Sequence, residues 1–325
     1  MVTAIKEYQQ AFLEYLESEK FQDPPKELYA PINYILGIGG KRMRPILLLA
    51  AAAAFDKDWA RALPAALGIE IFHNFTLLHD DIMDEAELRR GQPTGHIVYG
   101  RNSAILSGDA MMLLSLQYIL RSCTSETRSR IVDGYLDVAL NVCVGQQYDM
   151  NFEHIECPPM DDYLGMIRGK TAVLPGEALR IGATIGGADE TQAQHLFDFG
   201  ENLGMAFQMQ DDWLDLYGDA AVFGKKSGGD VLQNKKTILF ILGIQEMNSE
   251  DRQLLIELYS LDDKSNGKIE EVKALYDKWG VGDKVDELKQ SFHDKSLLAL
   301  SRLEIEEDSL DIFYAIAEFL LNRSR

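Results

Sequence analysis

The chain has 325 residues, 46% of them hydrophobic and 26% charged, and its 52 acidic side chains outnumber 32 basic ones for a net charge of −20. That composition is ordinary for a globular protein, and the acidic balance excludes nucleic acid as a partner, because a phosphate backbone demands a basic footprint. The three cysteines, Cys123, Cys143 and Cys157, lie in no metal-ligand spacing and read as reduced thiols of a cytoplasmic protein.

In chain order, helical patterns alternate with turn signals. The N-terminus lacks the basic and then apolar layout of a signal peptide. Asp23-Pro24-Pro25 and then Gly37 to Gly40 punctuate the first helical stretches. The longest apolar run, Ile46 to Phe55, is about half a membrane span, so no transmembrane segment is expected. Ile71, Phe72, Phe75, Leu78 and Ile82 recur with helical period, followed by a break at Gly91-Gln92-Pro93. Further breaks fall at Cys157-Pro158-Pro159 and Gly186-Gly187. Leu203, Ala206, Phe207, Met209 and Leu214 mark another helix, which a glycine-rich stretch from Gly218 to Gly229 ends. From Met247 to Arg325 the chain is acidic, amphipathic and helical. Alternating strand patterns are nearly absent, and no composition break marks a linker. The reading is a single all-α domain over residues 1–325, one large helical bundle.

Two carboxylate words interrupt these apolar helices: Asp80-Asp81-Ile82-Met83-Asp84 and Asp211-Asp212-Trp213-Leu214-Asp215. In each word the first and last Asp are i and i+4, so they stack on one helix face about 5–6 Å apart. Such a like-charged pair is destabilising unless a counter-charge neutralises it. Mg²⁺ suits the task, since it takes one or two carboxylates and fills its shell with water and phosphate oxygens. The repeated word therefore predicts metal clusters gripping a diphosphate.

Basic groups flank the words. Gly39-Gly40-Lys41-Arg42-Met43-Arg44-Pro45 places three cations at a helix junction, a candidate phosphate cradle. His73 lies two turns before Asp80 on the same stripe and becomes a candidate phosphate donor there. Arg89-Arg90-Gly91 offers two planar cations able to fork phosphate oxygens. Gly169-Lys170-Thr171 adds a cation and a hydroxyl, without the glycine spacing of a P-loop. Gln146 and Asp149 are polar on an otherwise apolar helix. After the second word, Gly224-Lys225-Lys226 through Lys235-Lys236-Thr237 reads as a basic loop able to fold over a phosphate. Each of these, taken alone, is also an ordinary surface or helix feature.

Taken in this order, the set resembles the all-trans isoprenyl diphosphate synthases, or polyprenyl synthetases. The resemblance rests on Gly40 to Pro45, His73, the two Asp words with Gln208-Met209-Gln210 before the second, Arg89 to Gly91, Gly145-Gln146, Gly169 to Thr171, and Gly224-Lys225 through Thr237. The basic Asn322-Arg323-Ser324-Arg325 tail is similar to that family's C-terminus. It implies the isoprenoid synthase fold, an all-α bundle around a deep central cavity, as a homodimer. It implies head-to-tail condensation of isopentenyl diphosphate with an allylic diphosphate. Asp80, Asp81 and Asp84 would then bind two Mg²⁺, and Asp211 would hold a third with Asp212 and Asp215 supporting. Arg89, Lys170 and Lys225 would contact the allylic diphosphate, and Lys41, Arg44, His73 and Arg90 the isopentenyl diphosphate. The Lys170 carbonyl, Thr171 and Gln208 would face the allylic cation, and released pyrophosphate would take the proton. Two departures touch loop geometry: Lys226 stands where the family often has Pro, and Ile238-Leu239 follows Thr237 where a proline is common.

Product length in this family follows the bulk below the first Asp word. Phe72, Phe75 and Thr76 project on the side that carries Asp80, with Phe75 about 7–8 Å and Phe72 about 12 Å down the helix axis. An aromatic at Phe75 resembles the short-chain members, which implies a C15 to C20 product with C20 ahead; the alternative is a longer-chain synthase. Terpene cyclases generally replace the second word and lack a basic pair like Lys41 to Arg44. Non-catalytic partner subunits usually lose one Asp word or both, whereas both are whole here.

Overall fold

The computed structural model describes residues 2–218 and 228–321; Lys225 and the basic tail fall outside them. The fold is all-α, as the periodicity predicts. Its helices are α1 Val2–Ser18, α2 Lys26–Gly37, α3 Met43–Ala53, α4 Leu63–Met83, α5 Gly95–Tyr99, α6 Arg101–Arg121, α7 Arg128–Phe152, α8 Met160–Ile167, α9 Val173–Gly186 and α10 Glu190–Tyr217. Beyond the second Asp word follow α11 Gly229–Leu232, α12 Ile238–Glu246, α13 Ser249–Ser260, α14 Asn266–Lys278, α15 Val281–Leu300 and α16 Glu307–Leu321. Residue contacts divide the chain into two compact units. The first holds residues 1–136, 177–197 and 303–313; the second holds 137–176, 198–302 and the chain from 314 onward.

In the first unit, α3 is apolar on every side, and such a helix belongs in the interior. Pro45 through Ala52 are all buried. Glycine lets a neighbour come close: a Cβ at Gly182 of α9 would sit 2.0 Å from the Leu48 carbonyl oxygen. Helix α4 starts with Pro64 in its first turn, where the missing N–H has no partner to lose. It packs along α6. Gly68 allows the approach, since a Cβ there would lie 2.6 Å from the Ser115 carbonyl oxygen. Phe12 and Phe72 are fully buried in this unit, and each stabilises by about 1.5–3 kcal/mol. In the second unit α12 is the apolar centre, buried from Ile238 to Gly243. Around it, α13 and α14 begin at side-chain caps: Asn248 accepts from Asp251 N–H and Ser265 from Lys268 N–H.

A short ribbon departs from the helical pattern. The strands β1 Leu88–Arg89 and β2 Gln92–Pro93 pair antiparallel, Arg89 opposite Gln92. Arg90 and Gly91 between them have φ of 53° and 76°, the left-handed pair a two-residue hairpin requires. Helix α6 is long and apolar enough to cross a membrane by length and composition alone. Its apolar surplus lies at Ile105, Leu106, Met112 and Leu113, all exposed, and α7 likewise exposes Leu136, Leu140 and Val144.

Candidate active site

The first Asp word ends α4. Asp84 caps the helix, its N–H bonded to the Asp80 carbonyl, and the following Glu85 turns left-handed. The chain then makes the hairpin, which returns Arg89 to the word. Arg89 Nε donates to both Asp81 oxygens at 2.8 and 2.9 Å, and an Nη donates to Asp81 at 2.6 Å. The same Nη lies 3.5 Å from Asp80. Asp81 is buried, Asp80 is half-buried and Asp84 is exposed. A planar guanidinium thus neutralises two of the three carboxylates.

The three cations of the basic turn separate in space. Lys41 is exposed. Arg42 does not join a phosphate cradle: it is buried, with φ of 51°, and donates to Glu70 of α4 and to the Leu36 carbonyl. Glu70 also accepts from Asn74 Nδ2 at 3.0 Å. Arg44 stands 3.2 Å from His73 Nε2, so the ring nitrogen accepts and the imidazole is neutral. Burial and then Arg44, Arg90, Arg89 and Arg42 hold His73 well below the usual histidine range. Burial and Arg90 likewise disfavour the Arg44 charge, partly offset by Glu70. Arg44 Nε is a buried donor with no protein partner. Such a group calls for a ligand acceptor. Arg90 donates to the Gly39 carbonyl, and a Cβ on Gly40 would come within 2.5 Å of its guanidinium. That crowding, with φ of 137° at Gly40, explains the glycine pair. The result is an arginine-rich patch short of anions.

Below Asp80, Phe75 and Phe72 are buried at 8% and 1% exposure. Thr76 spends its hydroxyl on the His73 carbonyl at 2.8 Å.

In the second unit the chemistry gathers at a widened helix turn. Arg168–Ala172 forms a π-helical turn, a feature frequent at functional sites. Glycines make room for it: a Cβ on Gly145 would lie 2.4 Å from the Lys170 nitrogen, and one on Gly169 would lie 2.6 Å from the Asn141 carbonyl. Lys170 Nζ donates to Asp149 at 2.6 Å. Thr171 donates to Gln208 at 3.4 Å, and Gln208 Nε2 donates to Asp212 at 2.8 Å. The other Asp212 oxygen accepts from Tyr163 at 2.6 Å and from the Ile238 N–H at 3.5 Å. Burial pushes the Asp212 carboxyl up, against the lowering effect of Tyr163 and Gln208. Asp215 accepts the Asp230 N–H at 2.9 Å, while Asp211 is half-buried beside them. Lys236 Nζ is spent on carbonyls at the end of α7, Phe152 at 3.1 Å and Glu153 at 3.2 Å.

Sequence reasoning missed Glu70, Tyr163 and the partnership of Asp149 with Lys170. Glu70 and Asn74 at i and i+4 on an apolar helix are a signal that could have flagged the first. Nothing in the local pattern marks Tyr163.

Among the described residues, no three His, Cys, Asp or Glu side chains converge on a metal position. What each word offers is hard carboxylate oxygens in small number. That donor set fits Mg²⁺, which keeps its waters and takes further ligands from phosphates, better than it fits a metal needing a closed protein cage.

The family model for polyprenyl synthetase matches residues 25–278. A short chain isoprenyl diphosphate synthase of Methanocaldococcus jannaschii is 36% identical over 79% of this chain and 77% of its own length. A geranylgeranyl pyrophosphate synthase of Geoglobus acetivorans is 34% identical over 98% of both chains. A crystal structure of a geranylgeranyl pyrophosphate synthase superposes with a TM-score of 0.93 at 37% identity, covering 99% of each chain. With so much of the chain matched at such identity, the carboxylate words and their arginines have a family: the chain belongs to the polyprenyl synthetases, and it is a trans-prenyltransferase.

Proposed function

We propose that the protein, acting as one functional domain over residues 1–325, condenses isopentenyl diphosphate with dimethylallyl, geranyl or farnesyl diphosphate to a C15–C20 product, C20 foremost. The observation that carries this reading is the Arg44–His73 pair, with its buried unpartnered Nε, set near an arginine-neutralised carboxylate word. Geranylgeranyl synthases among the similar proteins support the C20 preference.

Lys41, Arg44, His73 and Arg90 hold the diphosphate of isopentenyl diphosphate. Neutral His73 keeps Arg44 aimed without adding a repelling charge. Arg89, Lys170 and Lys225 contact the allylic diphosphate. Three Mg²⁺ ions fit the donor chemistry, two on Asp80, Asp81 and Asp84 and one on Asp211 with Asp215, and when bound they supply Lewis-acid stabilisation of the leaving diphosphate. Asp212, buried and held by Tyr163 and Gln208, supports the word. The allylic C–O bond breaks with its electron pair leaving on diphosphate. The Lys170 carbonyl, Thr171 hydroxyl and Gln208 oxygen face the cation as preorganised dipoles. The alkene of isopentenyl diphosphate supplies the pair for the new C–C bond, and the released pyrophosphate accepts the proton then lost. Phe75, with Phe72 and Thr76 beside it, forms the floor that limits chain growth.

The test supplies Mg²⁺, labelled isopentenyl diphosphate and each allylic primer in turn, and sizes the dephosphorylated products. Products stop at C15 or C20, and Phe75→Ala lengthens them. Failure to elongate any primer would overturn the enzyme reading; C30 or longer products from the parent would remove the floor alone.

The apolar residues Ile105, Leu106, Met112 and Leu113 are exposed along α6, and we assign this face to a homodimer. Leu106→Glu with Leu113→Glu on α6 converts the dimer to monomer in light scattering after size exclusion. An unchanged mass would exclude this face. The unbridged cysteines Cys123, Cys143 and Cys157 support a cytoplasmic location.

A further inference from the structure

The aromatic side chains under Asp80 form a row that continues beyond α4. The His79 and Phe75 rings meet edge to face with centroids 5.0 Å apart and 74° between planes. Phe75 meets Phe72 at 5.4 Å and 68°, and Phe72 meets Tyr135 of α7 at 5.5 Å and 77°. All are T-shaped contacts, the arrangement ring quadrupoles favour.

Both ends of the row are tied to one stripe of α6. His79 Nε2 lies 3.0 Å from the Ile105 carbonyl, over Gly108, where a Cβ would come within 2.1 Å of that nitrogen. At the other end the Tyr135 hydroxyl lies 3.2 Å from the Met112 carbonyl and pairs with Ser115 Oγ. Residues 105, 108, 112 and 115 share a helix face. Tyr135 itself is 3% exposed, and burial pushes its phenol up to about 12, so it keeps its proton.

We infer that Tyr135 is a positioning residue for product length: its ring, held by Ser115 and Met112 of α6, backs Phe72 and so keeps Phe75 standing across the path of the growing chain. Phe72 is 1% exposed and has the Tyr135 ring packed edge to face against it. Removing that ring opens a void behind Phe72, and aromatic side chains relax into such voids only in part, which leaves volume for extra isoprene carbons. The inference rests on Phe75 being the floor, as proposed above.

The experiment compares product lengths from the parent, Phe75→Ala, Tyr135→Ala, Tyr135→Leu and Tyr135→Phe, with thermal melting to confirm folding. Tyr135→Ala raises the ratio of longer to parent product about tenfold, equivalent to ~1.4 kcal/mol of discrimination. Tyr135→Phe retains the ring and the parent product. If the alanine variant does not fold, Tyr135→Leu, which lacks the ring but fills most of the space, decides in its place. Lengthening by Phe75→Ala with no change in the folded Tyr135 variants overturns the inference and leaves the floor. No change with Phe75→Ala overturns both.

Discussion

Asp80→Asn lowers kcat by about 10²–10³-fold, the scale seen when one electrostatic group aimed at developing charge is removed. Asn keeps the volume and hydrogen-bonding reach of the half-buried Asp80 but removes the negative charge. Arg89 stays anchored by its three contacts to Asp81, so the local fold survives. The loss should be sharpest at low Mg²⁺ and should soften as Mg²⁺ is raised. Steady-state rates against Mg²⁺ concentration, with a melting curve alongside, check both points. A rate within about twofold of the parent at every Mg²⁺ concentration, under 0.5 kcal/mol in barrier, would remove Asp80 from the ligand set. Asp81→Asn differs in kind. It breaks a bidentate pair around a carboxylate only 1% exposed, so it lowers stability as well as rate.

Glu70→Ala unfolds the protein at markedly lower denaturant, a loss of about 3–5 kcal/mol. The Arg42–Glu70 pair is nearly closed off from water, with side chains 3% and 4% exposed. Removing the carboxylate leaves a buried guanidinium with the Leu36 carbonyl as its remaining acceptor here. Arg42 also sits in a left-handed conformation between Gly40 and Arg44, so its release loosens the turn that presents Lys41 and Arg44. The Michaelis constant for isopentenyl diphosphate should rise along with the fall in stability. Replacing both partners, Glu70→Leu with Arg42→Met, should recover most of the stability, since an apolar pair of similar volume often matches a buried ion pair. Equilibrium unfolding of the two variants settles the matter; a single-variant loss under about 1 kcal/mol, ordinary for a mutation, contradicts it.

Much of the chemistry was legible because spacing on a helix is local. The i and i+4 carboxylates, the Phe75 and Phe72 positions and the helix end at Gly37 follow from period and turn residues alone. Charges proved harder. The basic turn reads as three phosphate ligands, yet Arg42 turns inward to Glu70, a partner on another helix that no local pattern pairs with it. Arg89 reads as a ligand contact from its place after the first word, but its pairing with Asp81 comes from the hairpin at Arg90-Gly91, which no helical period announces. Asp212 and Tyr163 lie on different helices, and their bond depends on packing rather than on any motif. The widened turn at Arg168–Ala172 has no local signature either, and Gly145 and Gly169, which leave room for it, meet only after folding.

That turn acts as a phase shifter in the helical path. A regular α-helix advances about 100° per residue, so one residue more or fewer re-aims everything beyond it. Deleting one residue within Arg168–Ala172 would let the segment wind regularly, and Lys170 and Thr171 could not both keep their bearings toward Asp149 and Gln208. A change in the segment's length should therefore displace both groups at once, where exchange of a single side chain removes only one.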